Sequence, residues 1–192
     1  MFNYKFLLFL CLNLLIFNGK FFSQEQINKE RKNSIDSLAM EKVRDLSKYI
    51  SIIGNKKTSF SKANRVIDRA VELFAIASKI SVSSLNSNEI ETYEVRKYLK
   101  RLNMLSYDEV TIEWYRIEYF SSLELQPDGR YVGVVTIYQK FEGRNKDQSI
   151  YVDNTKKDLT IYVEKKTIQI DGTDTEFWNV LLGDIRVKET HR

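Results

Sequence analysis

The sequence is poor in the residues that most often carry catalysis or bind metals. It has one cysteine, Cys11, and one histidine, His191. Cys11 lies in an apolar run that we expect to be removed, so the mature chain would have no disulfide, no thiolate zinc site and no cysteine nucleophile. Chain ends are usually mobile, which makes His191 a poor general base or metal ligand. A Ser–His–Asp triad is therefore excluded, and we expect no cofactor.

Signals for nucleotides and nucleic acids are also missing. No GxxxxGK[ST] or GxGxxG segment occurs, so nucleotide binding through such loops has no support. Lys and Arg together number 30, against 26 for Asp and Glu. Residues 1–23 contain Lys5 and Lys20 and no acid, so residues 24–192 carry 28 minus 26, or +2. This balance is too small to indicate nucleic acid or an anionic membrane as a partner.

Residues 1–23 have the layout of a secretory signal peptide. Lys5 is followed by an apolar run over residues 6–17 that only Asn13 interrupts. A membrane-spanning helix needs roughly 20 apolar residues, so this run is too short to favour one. The pattern predicts an exported protein that is not integral to the membrane after cleavage. Its compartment is the periplasm by default, with the exterior as the alternative.

The site of cleavage is predicted from the small side chain that must precede it. Ser23 fits this position, although Phe21 is a poor match two residues earlier, and we place the cut before Gln24. One competing interpretation is an uncleaved anchor. The other is a lipoprotein acylated at Cys11, which Leu10 disfavours because lipid-anchoring sequences have a small residue at that position.

Three helices are predicted in the first half of the mature chain. Residues 27–53, 60–79 and 90–105 each repeat apolar side chains near the 3.6-residue period of a helix. Gly54 follows the first helix, as a glycine often follows a last helical turn. Ser59 can cap the start of the second helix through its hydroxyl group.

Strands are predicted where apolar residues begin to alternate, after Ser106. Residues 110–125 and 130–141 form two long alternating segments on either side of the sequence QPDG at residues 126–129. Proline presets φ and glycine supplies a positive φ, so this tetrapeptide is typical of a tight turn. The three segments together predict a long β-hairpin.

Three further strands are predicted over residues 149–152, 159–170 and 177–187, with a turn at residues 153–156 between the first two. Gly183 interrupts the last strand, which indicates a bulge that bends the sheet. The element order predicts an α+β fold, with N-terminal helices packed on a curved antiparallel β-sheet of about four to six strands.

Two segments resemble the nuclear-transport-factor-two-like superfamily, also called cystatin-like: EVRKYLKRLNMLSYDEVTIEWYRIEYF and LELQPDGRYVGVVTIYQKFEG. The resemblance covers about residues 60–187 and implies helices folded against a curved sheet to form a cone. We therefore divide the chain into a signal peptide (1–23), an N-terminal helix (24–57) and a cone-like α+β domain (58–192), with the helix and domain forming one globular unit. A small apolar ligand in the cone and a homodimer through the sheet are implied by the resemblance alone.

Candidate site residues come from the predicted strands. Glu113, Tyr115, Tyr119 and Tyr138 could face inward together, and a buried carboxylate beside a tyrosine can move a proton next to a carbonyl. The alternative is that these four side chains have no catalytic role and are ordinary solvent-exposed residues of the strands. The two tryptophans, Trp114 and Trp178, are the largest apolar anchors and would suit a ring-shaped ligand if either lined a cavity. The alternative is that both tryptophans are buried in the hydrophobic core.

The superfamily includes isomerases, dehydratases and non-catalytic binding modules, so the fold does not fix the function. The lack of catalytic residue types favours an exported non-catalytic binding module that uses a concave aromatic sheet face or a cavity. Its partner would be an unknown protein or a small apolar ligand, not nucleic acid. The alternatives are a small isomerase or lyase based on Glu and Tyr, and a structural subunit of a cell-envelope assembly.

Overall fold

The structure is a computed structural model that describes residues 27–147 and 149–192, except for the side chains of Asn88, Tyr119, Phe120 and Ser121. The signal peptide expected at residues 1–23 lies outside these residues. The elements are, in chain order, α1 (Lys29–Gly54), α2 (Phe60–Val71), β1 (Lys79–Ser84), β2 (Ser87–Glu94), α3 (Val95–Asn103), β3 (Glu109–Leu125), β4 (Tyr131–Arg144), β5 (Ile150–Ile170) and β6 (Thr173–His191). Of the helices described, none is long and apolar enough to cross a membrane.

The strands form one six-stranded sheet in the order β2-β1-β6-β5-β4-β3. All neighbouring pairs are antiparallel except β1 and β6, which run parallel with Ile80 opposite Ile185. Helix α1 packs against β3, β6 and the two other helices. The predicted α+β class, with helices on a mainly antiparallel sheet, is confirmed.

The core lies between α1 and the inner face of the sheet. Six residues of α1 form one fully buried stripe at helical spacing: Ile35, Ala39, Val43, Leu46, Ile50 and Ile53. They pack with alternate residues of the central strands, among them Val135 and Ile137 on β4 and Leu159 and Ile161 on β5. Burial of each valine, leucine or isoleucine side chain in this set contributes about 1.5–3 kcal/mol, so this interface holds the helices on the sheet.

Two of the predicted local signals, the cap at Ser59 and the turn at residues 126–129, agree with the structure. Gly54, which was predicted to follow the first helix, is instead the last residue of α1, and Asn55 is the C-cap. Ser59 caps α2 by accepting a hydrogen bond from the backbone N–H of Lys62. In the turn between β3 and β4, the N–H of Gln126 donates to the carbonyl oxygen of Arg130 at 2.8 Å, and Gly129 has a φ of +85°. These contacts confirm the predicted cap and the predicted hairpin.

The predicted bulge at Gly183 is also present. Leu159 pairs with Ile185, but Ile161 pairs with Leu182, so β6 has one more residue than β5 between these two pairs. A Cβ atom on Gly183 would lie 2.5 Å from the Cε2 atom of Tyr162. The bulge therefore needs glycine because the neighbouring strand approaches so closely.

The second helix ends at Val71, eight residues before the predicted end. The N–H of Leu182 donates to the carbonyl oxygen of Leu73, and the N–H of Ala75 donates to the carbonyl oxygen of Leu182. These long-range hydrogen bonds compete with the helical ones, and residues 72–78 instead lead into β1.

Two other predicted elements are corrected by the sheet. The third helix begins at Val95, because residues 90–94 belong to β2, where Tyr93 pairs with Ile80. The turn predicted at residues 153–156 is wrong: β5 is continuous through it, and Asp153 pairs with Phe141 of β4. The polar residues suggested a turn, but several of them point into the protein.

Candidate ligand-binding site

A cavity of about 290 Å³ lies between α3, the β1–β2 hairpin and the inner face of strands β3 to β5. A wider open groove of about 730 Å³ runs along the outer side of α3. That groove is lined mainly by exposed charged side chains, such as Lys97 and Lys100. The smaller cavity has buried polar groups in its lining, which makes it the better candidate site.

Lys157 and Gln139 form the polar base of this cavity. Alternation along β5 and β4 turns both side chains inward, and they are 3% and 6% exposed. The Nζ atom of Lys157 lies 3.5 Å from Oε1 of Gln139. The same oxygen accepts a hydrogen bond of 3.1 Å from Nε1 of Trp114. One amide oxygen therefore serves two buried donors.

The charge of Lys157 has little direct compensation. No carboxylate of the described residues forms an ion pair with it, and its contact with Gln139 is long. Burial lowers the pKa of Lys157 to about 8, an effect that the negative charge of Asp153 partly opposes. The neutral amine and the ammonium form are thus both populated near neutral and mildly alkaline pH.

Asp153 is the second charged group on the inner face of β5. It is 5% exposed and accepts a hydrogen bond of 3.3 Å from the hydroxyl group of Thr155. Burial raises the pKa of Asp153, while hydrogen bonds from Tyr151 and Thr155 and the charge of Lys157 act in the opposite direction. The carboxyl group therefore takes up a proton more readily than an exposed aspartate does.

Two tyrosines place hydroxyl groups at the cavity. Burial, with a smaller effect of Asp153, raises the pKa of Tyr98 on α3, so its hydroxyl group stays protonated. The hydroxyl oxygen of Tyr151 accepts a hydrogen bond of 2.9 Å from the N–H of Leu85 and lies 3.1 Å from Oγ of Ser84. Tyr151 thereby ties the β1–β2 hairpin to β5 and closes one side of the cavity.

The remaining walls are apolar and aromatic. The rings of Tyr107, Phe141 and Tyr151 form a cluster with centroid distances of 5.8–6.5 Å. Leu102 of α3 and Leu105, which follows the end of that helix, also line the cavity. Such a lining favours the body of a small aromatic or aliphatic molecule.

Charged side chains surround the entrance. Arg101 of α3 lies 3.6 Å from a carboxylate oxygen of Glu91 on β2 and 5.1 Å from the ring centroid of Tyr93. Glu89 also lines the entrance. Both members of the Arg101–Glu91 pair are half exposed, so water screens their attraction and we assign it little stability.

Three sequence-predicted site residues lie on the outer face of the sheet. Glu113 is exposed and pairs with Lys140. Tyr115 is exposed on the same face as Glu113, as alternation with the buried Trp114 requires, and its ring centroid lies 6.1 Å from that of Tyr138. The structure brings these two tyrosines together, but the expectation that they face inward with Glu113 is not met.

The other predicted residues have different surroundings. The side chain of Tyr119 is outside the described part of the chain. Trp114 is buried and contacts the cavity base through Gln139. Trp178 is partly buried against Tyr131, with ring centroids 5.8 Å apart, and does not line the cavity.

The cavity residues that the sequence analysis missed share one signal. Asp153, Thr155 and Lys157 continue the inward phase of Leu159 and Ile161 along β5. Reading the polar segment as a strand would have placed all three on the inner face. In the described part of the chain, no group of three or more His, Cys, Asp or Glu residues could hold a metal ion.

Comparisons with known proteins give little further information. No protein-family model matches the chain, and no curated protein matches it. Among solved structures, the chain is similar to a domain described as a calcium/calmodulin-dependent protein kinase II association domain from Xanthomonas campestris. The match has 14% sequence identity and a TM-score of 0.36, and it covers 83% of this chain and 86% of that one. A likeness at this TM-score carries no argument about fold or function.

Proposed function

We propose that this protein is an exported, non-catalytic binding module that holds a small organic ligand in the cavity between α3, the β1–β2 hairpin and the sheet. A hydrogen-bond-accepting group of the ligand contacts Lys157. The supporting observation is that the ammonium group of Lys157 is buried in the cavity lining with one long hydrogen bond and, within the described residues, no ion pair.

The chemistry of an ammonium group explains why an acceptor fits there. Lys157 has three N–H donors, and Gln139 accepts from one of them at 3.5 Å. A buried charge is costly unless it is paired and hydrogen-bonded. A carboxylate or carbonyl oxygen of a ligand would accept from the remaining donors and lower this cost.

The size and lining of the cavity define the rest of the ligand. Its volume, about 290 Å³, lies just below the usual range for ligand pockets, roughly 300–1,000 Å³. The cluster of Tyr107, Phe141 and Tyr151 lines the cavity together with Leu102 and Leu105. The ligand class is therefore one aromatic ring or a short aliphatic chain that carries one acceptor group.

The alternative functions have less support. The isomerase or lyase hypothesis requires Glu113 to be buried beside a tyrosine, and Glu113 is exposed on the outer face. The structural-subunit hypothesis predicts no cavity, whereas one is present. Export remains a proposal that rests on the sequence of residues 1–23.

Native mass spectrometry of the protein with and without benzoate or hexanoate tests the binding proposal. Leu105→Trp adds bulk to the half-buried cavity wall, and Met104→Trp is the matched control because Met104 is exposed and outside the cavity lining. We expect a dissociable adduct with the wild type and Met104→Trp, and a loss of at least about tenfold in occupancy with Leu105→Trp. Equal occupancy in both variants would place the ligand elsewhere, and no adduct with the wild type would contradict the proposal.

A further inference from the structure

We propose that Lys157 captures small aldehydes covalently, as an imine between its Nζ atom and the carbonyl carbon, inside this cavity. The inference rests on the proposed ligand site and gives its ligands a chemical class. The geometry that supports it is a primary amine in the lining of a cavity, next to a neutral amide and without an ion-paired carboxylate in the described part of the chain.

The surroundings of Lys157 favour the nucleophilic form of the amine. Only an unprotonated amine attacks a carbonyl, and burial without an ion pair disfavours the ammonium form. The pKa of Lys157, lowered to about 8 by burial, agrees with this reading. The titratable or charged groups that share the cavity lining with it are Glu89 and Glu91 from β2, Tyr98 and Arg101 from α3, Tyr107 from the loop before β3, and Tyr151 and Asp153 from β5.

The covalent step needs no reagent beyond the aldehyde. The nitrogen lone pair attacks the carbonyl carbon, the C–N bond forms, and the carbonyl oxygen takes up a proton to give a carbinolamine. Loss of the hydroxyl group as water breaks the C–O bond and leaves C=N, while the nitrogen gives up its protons. An aldehyde and an amine thus yield an imine and one water molecule, with no change in oxidation state.

Proton donors for the loss of water are present in the same cavity. Tyr98 keeps its hydroxyl proton, and burial raises the pKa of Asp153. Both side chains line the cavity with Lys157, and a protonated carboxyl or hydroxyl group is the kind of donor that general acid catalysis of this step uses. The aromatic cluster gives an aryl aldehyde a surface on which its ring can pack.

Lys156 is a natural internal control because it is adjacent in sequence but on the opposite face of β5. Its Nζ atom lies 3.8 Å from a carboxylate oxygen of Glu189 and 5.9 Å from the ring centroid of Tyr138. Lys156 is therefore an ordinary outer-face lysine with a counter-ion. Any preference of an aldehyde for Lys157 over Lys156 measures the effect of the cavity.

The test is reductive trapping with benzaldehyde at pH 8 in the presence of sodium cyanoborohydride, followed by peptide mapping of the wild-type protein. We expect one benzyl group on Lys157, at least about tenfold more than on Lys156. Benzoate, which has the same ring but cannot form an imine, should slow this labelling. Label on Lys156 and Lys188 but none on Lys157, or equal label on Lys156 and Lys157, would overturn the inference.

A variant and a binding measurement separate this inference from the proposed function. Gln139→Glu places a carboxylate beside Lys157, and an opposite charge at this distance raises the pKa of the amine. We expect labelling at pH 8 to fall at least about tenfold, since each unit of pKa is a factor of ten in the neutral form. If benzoate and benzaldehyde bind reversibly to the wild type but trapping leaves Lys157 unmodified, the cavity remains a binding site and the imine inference fails.

Discussion

Lys157 and Gln139 meet at the base of the cavity, with the Nζ atom of the lysine 3.5 Å from Oε1 of the glutamine. That oxygen also accepts from the indole of Trp114. A single neutral side chain therefore supports two buried donors, one of them charged. The polarity of the cavity base and part of the stability of the fold therefore depend on Gln139.

Gln139→Leu should destabilise the protein. The substitution leaves the indole N–H of Trp114 and the amine of Lys157 without their acceptor, and an unsatisfied buried polar group costs about 1–3 kcal/mol. Urea denaturation at pH 7 would measure the loss in free energy of unfolding. Lys140→Leu, at the next position of β4 but on the outer face, should change it by less than about 1 kcal/mol. Equal stabilities of Gln139→Leu and wild type would contradict the role assigned to Gln139.

Lys157→Met should remove a specific pH dependence of stability. The unfolded chain keeps the lysine proton up to a pKa near 10.5, whereas the folded protein loses it near 8. Between these values the unfolded state binds more protons, so the free energy of unfolding of the wild type rises with pH. The cost of the buried charge is fully present below pH 8 and disappears above about 10.5.

The variant is therefore expected to be more stable than the wild type at pH 7, by up to about 3 kcal/mol for a pKa lowered from 10.5 to about 8, and equally stable above pH 10.5. Denaturation curves from pH 7 to 11 would measure this difference. Lys156→Met, on the outer face of the same strand, should follow the wild type. Parallel curves for the wild type and Lys157→Met would show that the lysine is not desolvated.

Gly143→Ala should distort the cavity wall. A Cβ atom at Gly143 would lie 2.7 Å from the ring carbons of Tyr107, a distance that forces the ring to move. Overpacking of this kind costs about 1–3 kcal/mol, and the displaced ring should also weaken binding of benzoate. The control is Gly133→Ala on the same strand, where the Cβ atom would lie 3.0 Å from the flexible end of Leu123 and at an ordinary contact distance of 3.7 Å from the carbonyl oxygen of Ser122. Calorimetric titration and denaturation would test both effects.

Export can be tested with the full chain expressed in a bacterial host. We expect the mature protein to begin at Gln24, as determined by mass spectrometry of the periplasmic fraction. Leu10→Arg places a charge in the apolar run and should block export. A membrane-bound product that retains residues 1–23 would instead support an uncleaved anchor, and a lipid on Cys11 would support a lipoprotein.

Much of the architecture follows from local sequence signals. The 3.6-residue spacing of Ile35 to Ile53 predicts α1, and the turn at residues 126–129 predicts the long hairpin, because these signals act between neighbours in the chain. The end of α2 at Val71 could not be read in this way. It depends on hydrogen bonds to Leu182, more than 100 residues later.

The candidate site was not predicted because its residues resemble a turn. In residues 153–157 the polar residues conceal the alternation that places Asp153 and Lys157 on the inner face of β5. The inward prediction for Glu113 and Tyr115 was wrong because it chose the opposite face of β3: these residues alternate with Ile112 and Trp114, whose buried side chains mark the inner face. The register shift between Trp114 and Arg116 then moves Arg116 to the outer face, opposite Tyr138. A period of two identifies a strand, but one shifted residue changes which side chains face inward.

The two tryptophans allow the most direct test of the ligand cavity. The indole N–H of Trp114 donates to Gln139 at the cavity base. Trp178 packs on Tyr131 at the start of β4, roughly 25 Å from Gln139 along that strand. In a ¹H–¹⁵N spectrum recorded during titration with benzoate, benzaldehyde or hexanoate, we predict a saturable shift of the Trp114 indole signal and a constant Trp178 signal. If none of these compounds moves the Trp114 signal, or if both signals move together without saturation, the cavity is not the binding site proposed.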